Sequence, residues 1–146
     1  MRLKEAALAA AASALLAVLT NVILGKLWYQ DRPFVEHPAQ TVLVAHHARD
    51  NAFPSDHASV AFAIALAVLL VARQVGVAFL VLALAIGAGR IFEGVHYPSD
   101  ILASFLVGLG AALAVAVLAR RPLGWAVHRL SRLTDPILAP AWRRLS

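Results

Sequence analysis

Four almost unbroken apolar stretches recur along the chain, at about 6–27, 58–72, 75–89 and 101–119, and polar residues gather only between and beyond them. The first and fourth approach or exceed the ~20 residues that cross a bilayer as a helix, whereas the second and third lie near the lower limit of about 17. Their polar ends are therefore expected to extend those helices into the interface. Arg73-Gln74 leaves room for a very tight hairpin only. The pattern predicts an all-α, polytopic membrane protein with about four transmembrane helices.

Composition narrows this reading. With 146 residues, 61% of them hydrophobic and 14% charged, the spans use up most of the chain, and one integral membrane domain over 1–146 is expected. Cysteine is absent, which excludes disulfides, thiolate nucleophiles and thiolate metal sites. Arg2 and Lys4 open the chain. A basic start before an apolar run also fits a secretory signal, but the run is longer than a signal core and no A-x-A-like site follows at its Asn21 to Trp28 end. A retained helix is expected.

The net charge of +5 matters less than its placement. Arg2, Lys4, Arg73, Arg120, Arg121, Arg129, Arg132, Arg143 and Arg144 all fall on one side of the alternating path, so by the positive-inside rule both termini are expected in the cytoplasm. That distribution speaks for a bilayer and against nucleic acid. Lys26, Arg32, Arg49 and Arg90 fall at the opposite ends of the spans, contrary to the bias, and require a reason of their own.

Between the first two spans lies one long polar connection, 28–56, expected outside, which carries Asp31, Arg32, Glu36, His37, His46, His47, Arg49, Asp50 and Asp56. Long connections of this kind are usually functional or disordered. After the fourth span, Leu123, Val127, Leu130 and Leu133 alternate with Arg129 and Arg132, with Trp125 and Trp142 as interface anchors. An amphipathic helix lying on the cytoplasmic surface over 122–146 is expected, the alternative being a solvated basic tail. Ser104, Gly108, Ala112 and Ala116 recur every four residues and offer a small-residue face to a neighbouring helix of this chain or of a second copy, which leaves a homo-oligomer open.

Three segments carry candidate chemistry: KLWYQDRP from Lys26 to Pro33, FPSDH from Phe53 to His57, and RIFEGVHYPSD from Arg90 to Asp100. Phe53-Pro54-Ser55-Asp56 and Tyr97-Pro98-Ser99-Asp100 repeat one pattern at the start of an outward-facing helix end, where Pro, Ser and Asp suit a cap. Such ends also present free N–H groups to an anion. Ser55 and the backbone amides around Asp56 are candidate phosphate donors, while capping alone accounts equally well for Ser99. Arg32, Arg90 and Lys26 supply the cations a phosphoryl group requires, although a lysine at an interface also snorkels to headgroups. Asp100, four residues after His96, is placed to accept from one imidazole nitrogen and leave the other as nucleophile, and His57 is placed to protonate a departing oxygen.

Taken together, the segments resemble the tripartite motif of the type-2 phosphatidic acid phosphatase superfamily: Lys to Arg-Pro, Pro-Ser-Gly-His, and Ser-Arg, five residues, His, three residues, Asp. Gly89-Arg90, His96 and Asp100 reproduce the third spacing. Pro54-Ser55-Asp56-His57 has Asp for the usual Gly, as in the undecaprenyl pyrophosphate phosphatase branch, and Lys26 stands five residues from Arg32 where six are usual. The resemblance implies a helical catalytic core, here four spans where the family commonly has six. It implies His96 as a nucleophile that becomes phosphohistidine, oriented by Asp100, with His57 as general acid. Lys26, Arg32, Ser55, Arg90 and the Asp56 backbone would bind phosphate, with no metal or other cofactor. It leaves Glu93 without a role.

The implied activity is hydrolysis of undecaprenyl pyrophosphate to the monophosphate at the outer face of the plasma membrane. Phosphatidate, phosphatidylglycerol phosphate, a prenyl-phosphoryl sugar phosphate, or transfer to another acceptor are alternatives within the class. A different class is a zinc site or a transporter mouth built from His37, His46, His47, His57 and His96; no H-E-x-x-H pair accompanies them.

Overall fold

A computed structural model describes residues 2–41 and 47–118, with 125, 126 and 129. Its element order is α1 (Arg2–Leu27), α2 (Pro33–Glu36), α3 (Asp56–Val71), α4 (Arg73–Phe92) and α5 (Pro98–Leu118), and among the described residues there is no strand. The four apolar stretches are the four long helices. Three of them are long and apolar enough to cross a membrane, and α3, with 16 residues, is the shorter apolar one. The polar ends do extend the helices: α3 begins at Asp56 and α4 runs on to Phe92. Within the long connection, Pro33 starts the single turn of α2. The amphipathic helix expected over 122–146 lies outside the described residues except for Trp125, Ala126 and Arg129, where the Arg129 guanidinium sits 4.7 Å from the Trp125 ring centroid.

The short helix is the centre of the bundle. α3 packs on α1, α4 and α5, while α1 also meets α5. Alanines at 58, 63, 65 and 67 of α3 are buried and let its neighbours approach closely, and Phe62 is wedged among them, 2% exposed. A Cβ on Gly108 of α5 would stand 2.7 Å from the Phe62 Cβ and 2.8 Å from the Ala63 nitrogen, so α5 can lie this close only with glycine there. Phe105 completes the contact edge-on, ring centroids 5.3 Å apart. Ser104, Gly108 and Ala112 are buried, so the small-residue face of α5 packs inside its own chain.

α1 shows the same economy with polarity inverted. Ala6, Ala10, Ser13, Ala17 and Asn21 form its buried stripe, while Leu15, Leu19, Val22 and Ile23 face outward. Large aliphatic side chains outside and small or polar ones inside is the arrangement a lipid solvent selects, because apolar surface gains nothing by hiding from lipid. The alternating path brings the end of α1, the start of α3, the end of α4 and the start of α5 to one end of the bundle. All three motif segments meet there.

Candidate active site

Asn51 organises this end. Its side-chain amide donates to the carbonyls of Gly25 at 3.0 Å and Trp28 at 2.9 Å, and its carbonyl accepts from the backbone N–H groups of Gln30 and Phe53, each at 3.0 Å. Every hydrogen-bonding site of the amide is used. The bonds close the end of α1 and tie the segment before α3 to it, with the Ala52 N–H donating to Gln30 O at 2.8 Å.

That fixed strip presents the Ala52 carbonyl to His96, whose Nδ1 lies 2.8 Å away. A carbonyl only accepts, so Nδ1 carries the proton and Nε2 is bare. Arg32 faces the bare nitrogen: its Nη1 is 3.3 Å from His96 Nε2 and 3.1 Å from the Val95 carbonyl, which it also reaches as donor. Its Nε donates to Asp50 Oδ1 at 2.8 Å and its Nη2 to the Asn51 carbonyl at 3.4 Å. Both side chains are buried, Arg32 to 7% and His96 to 4% exposure. An imidazole nitrogen and a planar cation are thereby held against each other out of bulk water.

The hydrogen bond expected from Asp100 to His96 is made instead by Ala52; Asp100 Oδ2 stands 3.7 Å from Nδ1. That oxygen accepts from the Tyr97 N–H at 2.8 Å, closing the first turn of α5 in the manner of a capping box. Asp100 is fully buried, and its Oδ1 has no partner among the described residues. Gly94, at φ 68°, ends α4 in the left-handed conformation that glycine tolerates, and its N–H donates to the Ile91 carbonyl. The turn brings the chain straight back, so that Val95 and His96 donate to the Arg90 carbonyl, each at 3.3 Å.

Ser55 occupies the N-cap position of α3 without capping it. Its N–H donates to Ser104 Oγ at 3.0 Å, and the Ser104 hydroxyl lies 2.7 Å from the Asp100 carbonyl and 3.0 Å from that of Ser55. The starts of α3 and α5 are thus joined. The Ser55 hydroxyl itself is buried with no partner among the described residues, as a group kept for a ligand would be. Asp56 turns its carboxylate to Asn21 of α1, 2.7 Å away, and Ser59 steadies Asn21 from α3 at 3.2 Å. The charge is directed away from the helix end whose amides it precedes.

Arg90 is half-buried, with Nη1 donating to Glu93 Oε2 at 2.6 Å and Nη2 2.8 Å from His47 Nε2. Lys26, in the last turn of α1, and His57, in the first turn of α3, are exposed and make no hydrogen bond or ion pair with a described residue. The structure therefore joins Arg32, His96 and Asp100 in one network and leaves Lys26 and His57 at its rim. His57 and Asp56 open a groove of about 500 Å³ between α3 and α4, continued by Val60, Ala61, Ile64, Phe79, Leu82, Ala83 and Ile86. Among the described residues no three His, Cys, Asp or Glu side chains converge as a metal set; His46 of the histidine-rich alternative lies outside them. Sequence reading missed Asn51 and Asn21, counted Asp50 only among the polar residues of the long connection, and gave His47 a place only in the histidine-rich alternative; single polar residues in a polar connection carry no spacing signal.

The family model for the PAP2 superfamily matches residues 6–122. The chain belongs to that superfamily. It is 40% identical over 99 residues to "Bacitracin transport permease protein BcrC" of Bacillus licheniformis, covering 68% of this chain and 48% of the relative. To "Undecaprenyl-diphosphatase BcrC" of Bacillus subtilis (strain 168) it is 37% identical over 92 residues, 63% of this chain and 47% of the relative. To "Putative undecaprenyl-diphosphatase YbjG" of Escherichia coli (strain K12) it is 42% identical over 96 residues, 65% and 48% respectively. The chain spans about half the length of the curated relatives it matches. No solved structure matches it. Family and apolar helices together make it a multi-pass membrane protein.

Proposed function

We propose that this chain carries the active site of a membrane lipid phosphatase that removes the terminal phosphate of a polyprenyl pyrophosphate, undecaprenyl pyrophosphate first, by way of a phosphohistidine at His96. One observation carries the reading: with Nδ1 committed to the Ala52 carbonyl, the bare Nε2 of His96 lies 3.3 Å from the Arg32 guanidinium. The nucleophile and the cation that offsets phosphoryl charge are then preorganised in one buried place. The names of the relatives support the substrate class, and the apolar groove below His57 gives an isoprenoid tail a path from the bilayer to the site.

In the first step the His96 Nε2 lone pair forms a bond to the terminal phosphorus while the bond from phosphorus to the bridging oxygen breaks. The leaving polyprenyl monophosphate takes a proton from His57. Arg32, Arg90, Lys26, the Ser55 hydroxyl and the amides at Asp56 hold the transferring oxygens, and the buried Asp100 carboxylate favours the positive charge that His96 acquires. Water, deprotonated by His57, then attacks the phosphorus, the N–P bond breaks, and phosphate leaves. In this reading the site faces outward across the plasma membrane, opposite the cationic ends of the spans, and the termini are cytoplasmic.

The test is a rapid alkaline quench of the purified protein with undecaprenyl pyrophosphate labelled in its terminal phosphate, run beside phosphatidate. An acid-labile protein-bound label is expected. His96→Ala should abolish it and lower kcat by about 10³-fold or more, and turnover should persist in excess chelator. Equal turnover by His96→Ala would end the mechanism. Faster turnover of phosphatidate would end the substrate assignment alone.

A further inference from the structure

Both ends of the Arg90 fork are taken by side chains to which the proposed chemistry gives no part. Nη1 donates to Glu93, the C-cap residue of α4, at 2.6 Å. Nη2 lies 2.8 Å from Nε2 of His47, forty-three residues away in the connection before α3. Arginine has only donors, so His47 Nε2 is the acceptor in this pair, and the imidazole is neutral with its proton on Nδ1. Of the three other guanidinium N–H groups, the one at Nε is buried and has no partner among the described residues. An arginine pinned at two nitrogens is oriented before any phosphate arrives.

We infer that His47 and Glu93 form a clamp that sets Arg90 for phosphate, and that His47 is its proton-sensitive half: neutral, it accepts from Arg90, and protonated, it lets Arg90 go. The inference rests on the reading of this end of the bundle as a phosphate site. Protonation would set N–H against N–H and cation against cation, turning the contact from attraction to repulsion. The charged and titratable groups around His47 are Arg32, Arg90 and His96, which oppose its protonation, and Asp50, which favours it. Partial burial acts first and Arg32 and Arg90 next, and together they hold the imidazole below its ordinary value of 6.5. The clamp is therefore closed at neutral pH and opens only in a window below 6.5.

Because glutamine offers an acceptor oxygen to Arg90 and does not titrate, His47→Gln separates holding from proton sensing. The experiment measures kcat/KM for undecaprenyl pyrophosphate from pH 5 to 8.5 in the full chain and in His47→Gln, and follows the ratio of variant to parent, in which titrations common to both cancel. The variant should run about three-fold below the parent at pH 8, and the ratio should rise by about ten-fold as pH falls from 7.5 to 5. His47→Ala, which has no acceptor, should raise KM by about ten-fold while kcat moves less, at all pH values above 6.5. Thermal midpoints confirm folding, and the KM rise of His47→Ala at pH 8 decides the clamp should the glutamine variant fail to fold, an unchanged KM overturning it. A ratio flat within about two-fold would overturn the clamp and leave the phosphatase reading intact. A parent that releases no phosphate from any lipid in the panel would overturn the phosphatase reading and the clamp together.

Discussion

The same four-residue pattern begins two helices at one end of this bundle, and the two copies do different work. In Tyr97-Pro98-Ser99-Asp100 the helix starts at the proline, the carboxylate folds back to the Tyr97 N–H and is buried beside His96, and the serine is exposed. In Phe53-Pro54-Ser55-Asp56 the helix starts at the aspartate, which is exposed and bonded to Asn21, and the serine is buried. The frame has slipped by two residues. Burial has passed from the acid to the hydroxyl, because Ser104 of α5 takes hold of the Ser55 backbone from inside the bundle. One copy places a buried carboxylate beside the imidazole of His96, and the other holds a spare hydroxyl near a helix end. Neighbours, not local sequence, assign the roles.

Exchanging the two acids breaks the comparison most severely. Asp100→Asn keeps an acceptor for the Tyr97 N–H but removes the buried charge 3.7 Å from His96 Nδ1. A loss of about 10²–10³ in kcat is expected, since in the proposed mechanism the imidazole carries positive charge once phosphorylated. Asp56→Asn also keeps an acceptor for Asn21, and its side chain points away from the proposed phosphate, so less than about three-fold is expected. Steady-state kinetics on undecaprenyl pyrophosphate decide it. Comparable losses from both changes would show that the two carboxylates share one function.

The serines come next, and for them activity and stability should move independently. The Ser55 hydroxyl is buried without a partner, so Ser55→Ala should leave the thermal midpoint in detergent unchanged or raise it slightly. If that hydroxyl donates to phosphate, kcat/KM should still fall by about ten-fold or more. Ser99→Ala should move neither quantity. A Ser55→Ala protein that is fully active would remove this donor from the site.

The apolar runs announced the bundle because each long helix must satisfy its own backbone in lipid, and that demand fixes length and composition wherever the neighbours stand. The spacing from Arg90 through His96 to Asp100 announced the third segment, since one tight turn at Gly94 leaves little freedom in how those residues meet. What stayed hidden depends on contacts between segments far apart in sequence. Ala52 binds His96 through its backbone, which no side-chain pattern records, and Asn51 does its work by filling four bonds in a connection already crowded with polar residues. His47 stood in plain view in that connection, but only the fold carries it to Arg90.

The smallest effect concerns the aromatic residues that open the two copies. Phe53 meets the Trp28 ring at a centroid distance of 6.4 Å, whereas the Tyr97 hydroxyl donates to Glu36 Oε2 at 2.6 Å and ties α2 to the start of α5. Burial above all, then the hydrogen bond to Glu36 and the nearby carboxylate charges, raises the Tyr97 hydroxyl to about 12 from its ordinary 10.0. Between those values the unfolded chain has released this proton while the folded chain keeps it, so stability from this group is complete below pH 10 and declines as pH rises toward 12. Tyr97→Phe makes the second copy resemble the first. Its thermal midpoint should lie slightly below the parent's at pH 8, the gap should close as pH climbs past 10, and turnover at pH 8 should change by less than about two-fold. A gap that stays constant through that range would mean that the Glu36 contact does not hold the Tyr97 proton, and that the two helix starts are anchored alike, by packing of their aromatic rings.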